Sequence, residues 1–115
     1  MRNLYQIYLI SDSTGETLDR IFLALKAQFP NFEYETNHFS FTRTENQILK
    51  ILETCKKQKK TIILYTIVDN KLSEFLNNET KKNNIPCFSV LGDLIDSFSK
   101  LLKQDALNEI GRAHV

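Results

Sequence analysis

Glycine is scarce in this chain, with three residues in 115, and none of Gly15, Gly92 and Gly111 opens the nucleotide loop of glycine, four residues, glycine, lysine and serine or threonine. That removes the usual backbone cradle for a β-phosphate. Cysteine is nearly absent too. Cys55 and Cys87 stand far apart with no paired spacing around them, which excludes a disulfide scaffold and a zinc knuckle and leaves two buried thiols as the expectation. His38 and His114 have no carboxylate or cysteine at ligand spacing, so no metal site is assigned. A net charge of +1 removes the electrostatic case for nucleic acid or an acidic membrane surface as partner. No apolar run approaches a membrane span and no leader-like segment precedes Leu4, which makes the cytoplasm the expected compartment. What is present, 42% hydrophobic and 25% charged residues, is enough for one ordinary globular domain with a core of its own.

Apolar runs and helical stripes alternate along the chain. Ile7-Tyr8-Leu9-Ile10 reads as a strand buried on both faces, within a first strand from about residue 4 to 11. Leu18, Ile21, Phe22, Leu25 and Phe29 follow at helical spacing, and Pro30-Asn31 ends that helix. In Phe32–Phe41 the alternation of Phe32, Tyr34 and Thr36 with Glu33, Glu35 and Asn37 predicts a half-exposed edge strand. A helix over 45–57 carries Ile48, Ile51, Leu52 and Cys55 on one face, and Thr44 with Gln47 forms a capping box at its start. Ile62–Val68 is the most β-prone stretch and should be a central strand. Asp69 caps a helix over 71–83 with Leu72, Phe75 and Leu76 inward. A short strand over 87–91 leads to a last helix over 93–102, whose Leu94, Ile95, Phe98, Leu101 and Leu102 are expected to be buried. The lysine-rich stretch Lys56–Lys60 reads as a solvated helix end and turn.

Four strand–helix units with right-handed crossovers predict a three-layer α/β fold of Rossmann-like type: a four-stranded parallel sheet in the order 2-1-3-4, with helices on both faces. The ordered domain is expected over 1–102, with 103–115 a truncated linker or tail. Ligands of such sheets gather beyond the carboxyl ends of the strands at the switch point, here between strands one and three. The run Ser11-Asp12-Ser13-Thr14-Gly15-Glu16-Thr17 lies at that point. Small and hydroxylated, it opens a helix whose first N–H groups favour an anion. Ser13 and Glu16 also fit a capping box, so the bland reading is a well-made helix start. Against it, Ser11, Ser13, Thr14 and Thr17 offer more hydroxyls than one cap needs. Asp12 does not suit a loop that simply wraps phosphate, and could orient a hydroxyl, a cation or a metal-bridged phosphate. Asp69 is expected to face the loop. Arg43 is either an exposed arginine before a helix cap or a positive charge on the same rim. The candidate anion or ligand contacts are therefore Ser11, Asp12, Ser13, Thr14, Gly15, Thr17, Arg43 and Asp69.

Four motifs in order resemble a known family. The Ser11–Thr17 run, Phe41-Thr42-Arg43-Thr44-Glu45, Tyr65-Thr66-Ile67-Val68-Asp69 and Pro86-Cys87-Phe88-Ser89-Val90-Leu91 are similar to the signatures of the bacterial regulatory proteins of pyruvate, phosphate dikinase and of phosphoenolpyruvate synthase. The resemblance implies a bifunctional serine/threonine kinase and phosphorylase. Such an enzyme transfers phosphate from ADP to a threonine of its target and removes it with inorganic phosphate. ADP and phosphate are thus the family's cofactors, none of them assigned to a site in this chain. The dikinase is the first choice of partner and the synthase the alternative, with a homodimer left open. Family members are more than twice as long and keep their P-loop in the second half, and Gly111–Val115 looks like the start of the next segment. The chain is therefore expected to be a truncated, catalytically incomplete member, and no catalytic residue is carried over. Two alternatives stand beside it. One is a free-standing phosphate- or flavin-binding module, because Thr14-Gly15-Glu16-Thr17 also resembles the phosphate loop of flavodoxins. The other is an inert relic of a broken gene.

Overall fold

The computed structural model describes residues 4–107. In chain order the elements are β1 (Tyr5–Ser11), α1 (Glu16–Lys26), β2 (Tyr34–Phe39), α2 (Glu45–Lys56), β3 (Thr61–Thr66), α3 (Asn70–Lys82), β4 (Cys87–Ser89) and α4 (Gly92–Leu102). All strands are parallel and their order is β2-β1-β3-β4, as the alternation of elements predicted. β2 is an edge strand and β3 an inner one.

Because successive side chains of a strand point to opposite faces, the continuous apolar runs of β1 and β3 feed two cores. Tyr8, Ile10, Ile63 and Tyr65 turn toward α2 and α3 and pack with Ile48, Ile51, Leu52, Cys55, Leu72 and Leu76. Ile7, Leu9 and Leu64 turn the other way, toward Leu18 and Phe22 of α1. The starts of α2 and α3 are fixed by their caps. The Thr44 hydroxyl accepts from the Gln47 amide at 3.1 Å while Gln47 Oε1 accepts from the Thr44 amide at 3.0 Å. One carboxylate oxygen of Asp69 accepts from the amides of Lys71 and Leu72.

Three packing expectations are corrected. α4 forms, but none of its residues is buried: Leu94 and Phe98 are each 57% exposed and Leu101 78%. Its stripe is amphipathic as read, but of its five apolar residues Ile95 alone is half-buried. α1 stops at Lys26, so Phe29 lies beyond the helix and is exposed, as Leu25 is in part. Cys55 is buried, whereas Cys87, on the short β4, is only half-buried. The tail expected over 103–115 falls, beyond Leu107, outside the described residues. Among the described residues no helix is long and apolar enough to cross a membrane.

Candidate functional site

Register puts the ends of the inner strands level. Ser11 pairs with Thr66 and Ile10 with Phe39, so the segments after β1, β2 and β3 leave the sheet side by side. The loop after β1 is then held from both flanks. On the β3 side the Asp12 amide donates to the Thr66 carbonyl at 3.1 Å, and the Asp12 Oδ2 accepts from the Val68 amide at 2.8 Å. On the β2 side the amides of Phe41 and Thr42 donate to the carbonyls of Ser13 and Ser11, each at 2.9 Å, and the Ser40 hydroxyl donates to the Thr14 carbonyl at 2.8 Å.

The hydroxyls inside the loop divide into two sets. Ser11 is buried, and its Oγ accepts from the Ser13 amide at 3.0 Å, which closes a tight side-chain turn. Thr14 and Thr17 are exposed around the start of α1. The expected Ser13–Glu16 capping box does not form. Gly15 occupies the N-cap position with φ +89° and offers no side-chain cap, and the Glu16 amide donates to the Thr14 hydroxyl at a long 3.5 Å. A glycine is needed there for its left-handed backbone and not for space, since an added Cβ would lie 3.5 Å from the Ser40 hydroxyl. The start of α1 therefore differs from those of α2 and α3, whose first-turn amides are occupied by Thr44 and Asp69.

Arg43 joins the loop. Its Nε donates to the Asp12 carbonyl at 2.9 Å, and its guanidinium carbon lies 5.3 Å from the centre of the Phe41 ring. Among the described residues the Nη groups of Arg43 have no hydrogen-bond partner. Phe41 itself is half-exposed and has a positive φ of 55°, uncommon for a bulky residue. Asp12 is 5% exposed. Burial pushes its carboxyl above the usual aspartate value, with the Val68 amide and the Arg43 charge pulling the other way. Asp69 is close enough to raise it further, while one oxygen of the Asp69 carboxylate holds the α3 cap.

Of the sequence-predicted residues, Ser11, Asp12, Ser13 and Arg43 are thus brought into one bonded cluster. Thr14, Gly15 and Thr17 line the adjoining helix start, and Asp69 stands on the neighbouring rim with a capping role. Two residues outside the predicted site, Ser40 and the motif residue Thr42, form the tether from β2 together with the Phe41 amide. Thr42 is buried and its hydroxyl donates to the Phe39 carbonyl at 3.1 Å. The family motif that includes Phe41 and Thr42 marks the segment, but the contact with a loop some thirty residues earlier follows only from strand register. Among the described residues no three His, Cys, Asp or Glu side chains come together as a metal site.

Comparison with known proteins gives this geometry a context. The family model described as kinase/pyrophosphorylase matches residues 7–115. A relative from Pelagibacter ubique (strain HTCC1062), named as a pyruvate, phosphate dikinase regulatory protein, is 63% identical over 106 residues, which cover 92% of this chain and 39% of that one. Relatives bearing the same name come from Alkaliphilus oremlandii, 37% identical over 91% of this chain and 38% of its own, and from Sinorhizobium medicae, 32% identical over 99% and 41%. The chain spans about two-fifths of the length of the curated relatives it matches.

Proposed function

From the premise that this chain belongs to the kinase/pyrophosphorylase family, we propose that it is the amino-terminal α/β part of a cytoplasmic regulatory enzyme acting on pyruvate, phosphate dikinase. The whole enzyme phosphorylates a threonine of the dikinase with ADP and removes that phosphate with inorganic phosphate. Within it, the Ser11–Thr17 loop and Arg43 hold an anionic group of the substrate or nucleotide. The observation that carries the site reading is the loop that opens α1, whose N-cap Gly15 has no side chain to cap it and whose Asp12 carbonyl anchors Arg43 through its Nε. First-turn amides, exposed hydroxyls on Thr14 and Thr17 and a guanidinium suit phosphate oxygens. Asp12 supports this by fixing the loop to β3 through the Val68 amide.

Phosphoryl transfer needs a preorganised positive cradle at the β-phosphate, and no lysine stands in the first turn of α1 to supply one. Lys26 lies ten residues after Glu16, about 15 Å along the helix at the usual rise. The chain by itself therefore binds an anion without transferring it. Titration with inorganic phosphate or ADP, followed by NMR, should move the amides of Thr14 to Thr17 first and those near Arg43 next. Gly15→Val should abolish the shifts, and Arg43→Gln should weaken them while leaving the left-handed turn intact. Shifts confined to Lys56–Lys60 would remove the loop from the proposal. Incubation of the chain with dikinase and ADP should yield no phosphothreonine by mass spectrometry, whereas the intact Pelagibacter relative should produce it. Phosphorylation of phosphoenolpyruvate synthase in place of the dikinase would reassign the target and leave the loop assignment standing.

A further inference from the structure

An eleven-residue helix with no buried residue is not expected to hold its shape in water unaided, because short isolated helices are marginal even with good propensity. α4 nevertheless carries a regular apolar stripe in Leu94, Phe98, Leu101 and Leu102, all exposed. The short return of Gln104–Ala106 borders a groove of about 430 Å³ along the helix, and the half-buried Ile95 faces another groove shared with Ile67, Val68 and Ser73. A second uncovered surface lies on the α1 side of the sheet. There α1 packs on β1 and on Leu64 of β3, while Phe88 of β4 is 57% exposed. An apolar groove of about 330 Å³ runs between α1 and β3, lined by Tyr5, Phe22, Leu25, Ile62 and Leu64. Parallel sheets are normally covered on both faces, so half of one layer is lacking here.

We propose that one occupant covers both surfaces: the three-fifths of the family's chain that lies outside the segment matched here. The relatives supply the length, since the matched segment is only 38–41% of each of them. The stripe supplies the chemistry, because leucine and phenylalanine at helical spacing call for an apolar helix or sheet face and not for a charged ligand. This inference rests on family membership and is independent of what the Ser11–Thr17 loop binds.

Hydrogen–deuterium exchange on this chain, at low and high concentration, and on the intact Pelagibacter relative tests it. In this chain the α4 amides should exchange rapidly at both concentrations, and a hydrophobic dye should bind. In the intact relative the matching segment should exchange at least tenfold more slowly and the dye signal should fall. Phe98→Asp in this chain should leave its thermal midpoint unchanged, showing that the stripe is not already part of the chain's own core. Three results would overturn the proposal. One is equally fast exchange in the intact relative. Another is protection that appears with concentration alongside a dimer mass, which makes a second copy the occupant. The last is protection of α4 in the dilute chain together with a destabilised Phe98→Asp variant, which means that α4 closes over its own sheet.

Discussion

Against α2 and α3 the sheet turns Tyr8, Ile10, Ile63 and Tyr65, and no measurable surface of any of the four reaches solvent. Against α1 it turns Ile7, Leu9 and Leu64, with Ile62 only half-buried and Phe88 of β4 mostly exposed. Both faces come from the same strands and the same apolar composition. What differs is the cover: two capped helices on one side, a single helix with no side-chain cap on the other. The α2–α3 face is therefore the more completely closed of the two. The α1 face, with its glycine turn and its open groove, is where groups remain available for something else.

The sharpest way to break that comparison is to place one charge on each face of the same strand. Ile63→Asp puts an unpaired carboxylate into the closed core, and burying such a charge costs several kcal/mol out of a total of about 5–15 kcal/mol. The variant should show no cooperative thermal transition. Ile62→Asp, one residue away on the open face, should fold and melt cooperatively. Similar melts for the two variants would mean that the faces do not differ. A milder version uses truncation. Leu76→Ala in α3, at a fully buried position, should lower stability by about 2–5 kcal/mol in urea titrations, whereas Leu101→Ala in α4 should stay within about 0.5 kcal/mol of the parent.

The closed face was legible from sequence and the open face was not. Val, Ile, Leu and Tyr in unbroken runs identify β1 and β3 as inner strands wherever helices are available to cover them, and the parallel order follows from the alternation of elements. For α4 the same logic fails. A helical stripe reports which side is apolar and is silent about whether a surface exists to receive it. The two capping-box patterns make the same point. Thr44-x-x-Gln47 forms as read. Ser13-x-x-Glu16 does not, because Gly15 takes the N-cap position in a left-handed turn and the Ser13 amide is bound back to Ser11. At the site, the hydroxyl loop could be seen in the sequence. The tether through Ser40, Phe41 and Thr42 could not, since it depends on strand register.

Local cap chemistry sharpens the comparison at a smaller scale. Asp69→Ala removes the acceptor for two first-turn amides of α3 and should cost about 1 kcal/mol. The loss should be read equally by far-UV circular dichroism and by tyrosine fluorescence, because α3 is part of the closed core. No such cap exists to be removed from α1, so Ser13→Ala should lower stability less than Asp69→Ala does. A larger loss at Ser13 would show that its hydroxyl supports the start of α1 after all.

The smallest effect expected is also the one with a direction in pH. Asp12 is buried and its carboxyl is shifted upward, chiefly by burial, with the Val68 amide and Arg43 opposing. The folded state thus binds the Asp12 proton more tightly than the unfolded chain does, so ionisation of this group removes stability. That loss is absent below the ordinary aspartate value, grows as pH rises toward the raised folded value and is complete above it. Asp12→Asn keeps a side-chain oxygen for the Val68 amide and has no charge to bury. At neutral pH it should be at least as stable as the parent, and its advantage should shrink as the pH is lowered through that window. Urea midpoints of the two proteins at a series of pH values measure the difference. Arg43→Gln supplies the control. Without the guanidinium nearby, the Asp12 carboxyl should shift higher still, and the stability gained by Asp12→Asn in that background should be larger. An Asp12→Asn variant that is less stable at neutral pH, with a deficit that disappears in acid, would mean that Arg43 and the Val68 amide outweigh burial. The carboxylate would then be a favourable ionised anchor of the loop.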